Sequence, residues 1–242
     1  VAIREQGAAG YHEGVDSGRR AGMGRRGIFV TLEGVDGCGK TTQAARLAEA
    51  LAATGREVVR LREPGGTPIS EKVRALLLDP SNEEMADECE LLLYEASRAQ
   101  LVRQLIEPAL TRGAVVLCDR YADSTYAYQA AGRGLDDALV RGANALGSCG
   151  CVPDRTLVLD LDVSRAYERA TAGSVDRLEA EGLAFQERVQ AGYRHLAATE
   201  PGRVHLVDAT GTVDEVFDRL WNDLSDLWAD APAAPFCSVG GR

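Results

Sequence analysis

Lysine is almost missing from this chain. Of its 242 residues only Lys40 and Lys72 are lysine, and every other strong base is arginine. A sequence that avoids lysine yet keeps one at position 40 points to a compact charge being wanted there. Positive charge is short overall: the formal net charge of −10 argues against a polyanionic partner such as duplex DNA. A small anionic substrate remains open, because a few arginines in one cleft suffice for it. No apolar run approaches the ~18 residues of a membrane span, and no apolar signal-peptide core is visible. The six cysteines (Cys38, Cys89, Cys118, Cys149, Cys151 and Cys237) form no C-x-x-C pair and have no histidine at zinc spacing. Cys149-Gly150-Cys151 is a single C-x-C, lacking the other half of a metal or redox site. Dispersed thiols in an acidic chain fit a reducing cytosol, so a cytoplasmic protein without membrane or nucleic-acid partners is expected.

What is present is ordinary in bulk and specific in detail. Hydrophobic residues make up 45% and charged residues 26%, enough for a single α/β domain with a sizeable core. Residues 34–41 read Gly34-Val35-Asp36-Gly37-Cys38-Gly39-Lys40-Thr41, a complete G-x-x-x-x-G-K-[ST] match. It follows an apolar β-type run, Ile28 to Leu32, and precedes a helical pattern from Thr42, the setting that gives the motif meaning. The glycines allow successive backbone N–H groups to turn inward around a polyphosphate, and the helix N-terminus adds its partial positive charge. Lys40 is placed to reach the β- and γ-phosphates, and the Thr41 hydroxyl to coordinate Mg²⁺. Gly34 through Thr42 are therefore the expected ATP-binding segment.

Apolar β-type runs alternate with helical stretches along the rest of the chain. Strands are expected at Ile28–Glu33, Val58–Arg62, Val115–Asp119, Thr156–Asp160 and Val204–Asp208. Helical patterns lie near 41–54, 70–78, 87–110, 135–146, 163–172, 185–199 and 213–228. Short continuous apolar strands separated by helices predict a parallel sheet covered on both faces, with ligands beyond the carboxyl ends of its strands. No internal repeat is evident. Residues 1–22 read as a disordered extension or an over-extended reading frame ahead of Met23, 23–228 as one domain, and 229–242 as a flexible tail.

Three constellations sharpen the site. Asp119 ends an apolar strand, as a Walker-B-type ligand of Mg²⁺ or water would, and Arg120-Tyr121 follow it. An arginine there can bridge donor and acceptor phosphates, although a surface salt bridge is the plainer alternative. Tyr94 and Arg98 share one helix face, an aromatic ring beside a guanidinium, which suits a nucleobase or simple packing. Ser124-Thr125-Tyr126-Ala127-Tyr128-Gln129, if helical, pairs Ser124 with Tyr128 and Thr125 with Gln129. A glutamine amide offers a donor and an acceptor to a pyrimidine edge, or sits on a solvated face. The histidines (His12, His195 and His205) fall outside every motif.

In this order the segments closely resemble bacterial thymidylate kinases. The matching stretches are Glu33 through Thr42, Arg62-Glu63-Pro64-Gly65-Gly66-Thr67, Glu90 through Arg98, Asp119-Arg120-Tyr121 through Tyr128-Gln129, Gly132-Arg133-Gly134, Pro153-Asp154 and Asp176-Arg177-Leu178-Glu179. The likeness runs from about Gly27 to Leu227. It implies a P-loop kinase fold, a five-stranded parallel sheet flanked by helices on both faces with a small lid at about 169–180. It also implies a homodimer that uses ATP and Mg²⁺ to convert dTMP to dTDP for dTTP synthesis. By that resemblance Tyr94 stacks on thymine, Arg98 and Gln129 address its polar edge, and Tyr128 crowds the 2′ position. Asp36 takes the 3′-hydroxyl and helps arrange the metal site with Thr41 and Asp119. Arg120 holds the acceptor phosphate, and Pro64, Ser124 and Thr125 complete the substrate pocket. Two departures stand out: Cys38 replaces the more usual small apolar residue or serine, and the lid, about Arg169 to Glu179, is less basic than in many bacterial relatives. Gly37 sits where some members carry a catalytic arginine. The lid then has to supply that charge, from Arg169 or Arg177, with Arg177 the first choice. The alternatives are a kinase for dUMP, UMP or CMP, or a non-catalytic P-loop module; a guanine-reading Asn-Lys-x-Asp segment is absent from the sequence.

Overall fold

The computed structural model describes residues 26–172 and 177–228. The expectations for the N-terminal extension, the tail from 229 and the middle of the lid, 173–176, lie outside the described residues. Among the described residues five strands form one parallel sheet in the order β2-β3-β1-β4-β5. They are β1 (Ile28–Glu33), β2 (Val58–Arg62), β3 (Val115–Asp119), β4 (Arg155–Asp160) and β5 (Val204–Asp208). The chain leaves β1 toward β2, fills the gap with β3, and then crosses to β4 and β5 on the other side. That reversal puts the ligand-binding crevice of a doubly wound sheet at the end of β1.

Successive residues along β1 and β3 face opposite sides, so their unbroken apolar runs need helices on both faces. On one face Leu32 and Leu117 join Leu47 and Leu51 of helix α1 (Lys40–Ala53) and Phe217 and Leu220 of a C-terminal helix, Val213–Asp223. On the other, Phe29, Val116 and Cys118 meet Leu101, Val102, Ile106 and Leu110. The core thus sits in two layers against a central sheet. Helix α2 (Pro68–Leu78) starts where the Thr67 hydroxyl accepts the Ser70 N–H at 3.1 Å and proline occupies the first turn.

The pattern read as one long helix over 87–110 is interrupted. Helix α3 (Asp87–Leu101) passes through a π-helical turn, Val102–Ile106, into the short helix α4 (Glu107–Thr111). Pro108 supplies no N–H and its ring crowds the carbonyl one turn back, so the widened turn absorbs the mismatch. A second widened stretch, Tyr126–Gly132, continues the single turn α5 (Ala122–Thr125). Two further helices frame the site: α6 (Asp137–Gly147), capped by the Asp136 carboxylate, and α7 (Val163–Ala170). A third, α8 (Leu183–Thr199), packs along the widened Tyr126–Gly132 stretch.

Leu117 is fully buried at the centre of β3. Leu117→Ala should lower the unfolding free energy by about 2–5 kcal/mol, measured by urea titration, because the flanking strands limit collapse of the cavity.

Candidate active site

The register of β1 with β3, Leu32 opposite Asp119, brings the residues after both strands side by side. After β1 the chain enters the glycine-rich loop. Gly34, Gly37 and Gly39 have φ values of 131°, 80° and 104°, a region open to glycine and costly for other residues. A Cβ on Gly37 would lie 2.0 Å from the Ala166 carbonyl oxygen, whereas one on Gly39 would meet nothing within 4 Å. The loop therefore packs tightly against α7 on one side and leaves open space on the other. Gly39 begins α1 without a side-chain cap and with no acidic residue in the first turn, so the first N–H groups face that space. Lys40 is buried, its Nζ donating to the Gly34 and Val35 carbonyls at 3.0 and 2.9 Å. Thr41 donates its hydroxyl to Asp119 Oδ2 at 2.7 Å.

After β3 the backbone turns sharply. Arg120 has φ 73°, a left-handed conformation unusual for arginine, and it is pinned on both sides by β1. Its own N–H donates to Leu32 O at 3.0 Å, and the next N–H, of Tyr121, donates to Glu33 Oε1 at 2.7 Å. The guanidinium is thereby aimed back at the loop, donating to Asp36 Oδ1 at 2.5 Å, Tyr128 Oη at 3.0 Å and Ser124 Oγ at 3.1 Å. Tyr128 donates in turn to Asp36 Oδ2 at 2.8 Å. Burial works to raise the Asp36 carboxyl, but Arg120 and Lys40 outweigh it and hold it at about 2. Asp36 is a carboxylate at every working pH.

Two clefts open above these groups. One, of about 750 Å³, is lined by Asp36, Gly37, Gly39, Lys40, Thr41 and Thr42, with Arg62, Glu63, Arg74, Asp119 and Arg120. The other, of about 490 Å³, is lined by Asp36, Glu63, Pro64, Arg74, Leu78 and Tyr94, with Arg120, Ser124, Thr125, Tyr128, Gln129 and Leu178. They share Asp36, Glu63, Arg74 and Arg120 as a common wall. Lys40 and Tyr94 thus open onto adjoining spaces over the same sheet edge. Gly34, Val35 and Cys38 lie behind the loop surface; Cys38 is buried and burial pushes its thiol up, leaving it protonated.

Two further expected residues stand back from the cleft linings. Arg98 is 1% exposed, donating from Nε to Glu63, from Nη1 to Glu95 and Asn144, and from Nη2 to Thr125 and Glu63. All of its donors are engaged. Burial opposes its charge, yet Glu63 and Glu95 keep it protonated beyond its ordinary range. Arg98 therefore stands one residue behind the lining, holding Glu63 and Thr125. Arg177 donates to the Leu77 carbonyl and to Glu90, while its neighbour Leu178 lines the second cleft.

Two other members of the site, Arg74 and Tyr193, carry no local signal. Arg74 lines both clefts and donates to Pro64 O at 2.9 Å, yet it belongs to no motif segment. Glu33, fully buried at the end of β1, accepts from Ser124 Oγ at 2.5 Å and Tyr193 Oη at 2.9 Å as well as from Tyr121. Tyr193 lies on α8, 160 residues away in sequence. The histidines have structural partners: His195 stacks on Tyr126, and His205 meets Asp223 at 2.9 Å; His12 lies outside the described residues.

A cation that prefers hard oxygen ligands suits Thr41 and Asp119, a hydroxyl and a carboxylate at the phosphate cleft. Among the described residues no cluster of three His, Cys, Asp or Glu forms a metal cage. Such a pair fits Mg²⁺ delivered with substrate phosphates, which completes its shell with water and phosphate oxygens. No helix among the described residues is long and apolar enough to cross a membrane.

A glycine-rich loop leading into a buried lysine, a threonine paired with a strand-end aspartate, and a second cleft sharing an arginine wall define a P-loop kinase. Comparison with known proteins narrows the class. A family model for thymidylate kinase matches residues 32–220. The chain is 49% identical to a thymidylate kinase of Solidesulfovibrio magneticus over 208 residues, 83% of this chain and 100% of that protein. It is 50% identical to one of Deinococcus radiodurans, covering 83% of this chain and 98% of the other. The crystal structure of thymidylate kinase from Ehrlichia chaffeensis superposes with a TM-score of 0.69 at 32% identity, over 82% of this chain and 99% of that one. The chain belongs to the thymidylate kinase family.

Burial pushes the Glu33 carboxyl up to about 7, Asp123 adding to the effect against the hydrogen bonds of Ser124 and Tyr193 and the charge of Arg120. Its folded value lies above its unfolded one, so between about pH 4.5 and 7 the folded protein keeps a proton the unfolded chain releases. Stability from this group falls as pH rises through that window, by on the order of 3 kcal/mol in total. Urea titrations at pH 5 and pH 8 should show wild type losing stability relative to Glu33→Gln. A difference between the two proteins that does not change with pH would contradict this assignment.

Proposed function

We propose that this chain transfers the γ-phosphoryl group of ATP to dTMP, giving dTDP, in the cytoplasm. The observation that carries the reading is the shared wall of the two clefts: a phosphoryl group can pass between them without leaving Arg120 and Arg74. The loop N–H groups from Gly34 to Thr42 receive the ATP phosphates, and Lys40 exchanges its loop carbonyls for β- and γ-oxygens. Mg²⁺ held by Thr41 and Asp119 with the phosphates would neutralise charge on the donor.

In the second cleft Tyr94 offers its ring to the base, and Gln129, with Arg98 behind the wall, meets its polar edge. Tyr128 and Asp36 face the sugar, while Pro64, Ser124 and Thr125 fill out the walls. The acceptor is a phosphate oxygen already ionised near neutral pH, so no histidine is needed as a base. Catalysis reduces to alignment and charge stabilisation. Arg120 and Arg74 hold the two phosphate groups together, and a lid arginine, Arg177, joins them when residues 169–180 close. Closure also excludes water and prevents hydrolysis of ATP.

A coupled ADP-release assay across nucleoside monophosphates tests the reading. ATP consumption should depend on dTMP; nucleotide binding without monophosphate-dependent turnover would overturn it. Lys40→Ala, Arg120→Ala and Arg74→Met should each lower turnover about 10²-fold or more, as loss of a preorganised charge does. Arg98→Ala should act mainly on the KM for dTMP; an effect confined to the KM for ATP would remove Arg98 from the base site.

We also read the chain as a homodimer. Leu92 on α3 and Leu146 on the adjacent α6 are 63% and 78% exposed, with Leu139 two turns before Leu146 on the same helix. Large apolar side chains gathered on packed neighbouring helices suit a second copy of the same face. Sedimentation should give a dimer for wild type and a monomer for the Leu92→Glu, Leu146→Glu double variant.

A further inference from the structure

Beneath the base cleft, Glu90 is fully buried on α3 and gathers three donor residues from two other parts of the chain. Gln129 Nε2 donates to Glu90 Oε1 at 2.7 Å. Arg133 donates to both carboxylate oxygens, at 3.2 and 3.0 Å, and Arg177 donates to Oε2. Although burial works to raise it, the hydrogen bonds of Arg133 and Gln129 and the two arginine charges keep the Glu90 carboxyl below its usual range. An ionised carboxylate only accepts hydrogen bonds, so the group that Gln129 turns toward it has to be the amide nitrogen. The amide oxygen is then left for the cleft that Gln129 lines, and no donor reaches it among the described residues.

We propose that Glu90 is a positioning residue for base selection. By holding the Gln129 N–H it presents the Gln129 carbonyl to the cleft, which then favours a pyrimidine with N–H at ring position 3 over cytosine. The inference rests on the pyrimidine-monophosphate reading above and supplies its chemical basis of choice. Thymine and uracil offer a donor at that position; cytosine offers a lone pair, which would meet the amide oxygen and leave both acceptors unpaired. Without Glu90 the amide can rotate by 180° and match cytosine equally well. Exclusion of cytosine is therefore set by a residue with no place in the cleft lining.

The test compares kcat/KM for dTMP and dCMP in wild type, Glu90→Gln, Glu90→Asp and Arg133→Met. Glu90→Gln replaces the obligate acceptor by a group that can also donate. Glu90→Asp keeps the charge for the arginines but withdraws it from Gln129, and serves if the first variant does not fold. In both, the dTMP:dCMP ratio should fall about tenfold or more, as expected for about one hydrogen bond of discrimination. The loss should lie in the KM for dTMP and in gained dCMP turnover, with kcat at saturating dTMP nearly retained. Arg133→Met removes an ion-pair partner without touching Gln129 and should keep the wild-type ratio. A general loss of stability would not produce this split. A wild-type ratio in folded Glu90→Gln or Glu90→Asp overturns the assignment of Glu90 alone. Wild-type protein that cannot use dTMP overturns the acceptor reading itself, and the wild-type measurement alone reveals it.

Discussion

Everything at the site depends on the pairing of β1 with β3. Because Leu32 lies opposite Asp119 in parallel register, the two chain ends leave the sheet together, one into the glycine-rich loop and the other into Arg120. A slip of one residue would turn Arg120 and Asp36 to different faces. The backbone at Arg120 is held left-handed by bonds to Leu32 and Glu33, so the strain is sustained by the strand beside it. The ion pair with Asp36 then closes the loop against β3. It is partly buried and bound on every side, which makes it a device of position more than of stability.

The scarcity of lysine becomes intelligible beside the buried acids. Glu63 lines both clefts and Glu33 and Glu90 lie beneath them, and each is answered by arginine or tyrosine. A guanidinium can satisfy several acceptors in fixed directions at once, as Arg98 does with Glu63, Glu95, Asn144 and Thr125. A lysine there would carry the charge without fixing the geometry. Position 40 is the reverse case: a slim stem must rise through the loop between carbonyl oxygens, and an ammonium suits it. Burial pushes Glu63 up to about 7 even against Arg98, and its Oε1 has no partner among the described residues.

Much of this was legible in the sequence because the signals are local. The strands are apolar runs ending in charged residues, and their boundaries were read to within one residue; only β4 starts earlier, at Arg155. The glycine-rich loop, Asp119-Arg120 and the Tyr94 and Gln129 faces each lie within a few residues of one another. The parts not visible are those created by distance or by irregular turns. Arg74 reaches both clefts through the direction in which α2 leaves Thr67, and its immediate neighbours form no motif. Tyr193 joins Glu33 only because α8 packs along the widened Tyr126–Gly132 stretch. That widening has no periodic signature, since the residues still read as helix. Arg98 showed its face in the sequence but not its partners, three of which come from other segments.

Lys40 and Arg177 illustrate how such a site can be charged and still stable. Each rests on acceptors of the protein itself, Lys40 on two loop carbonyls and Arg177 on Leu77 O and Glu90. For Lys40 the proposed exchange would be favourable: neutral carbonyls would give way to phosphate oxygens, which make stronger, charge-assisted bonds. Were Arg177 to leave Glu90, as the proposed role requires, Arg133 and Gln129 would remain on that carboxylate, so the acid would not be orphaned. The cost of releasing Arg177 would thus be limited by the same cluster that holds the Gln129 amide.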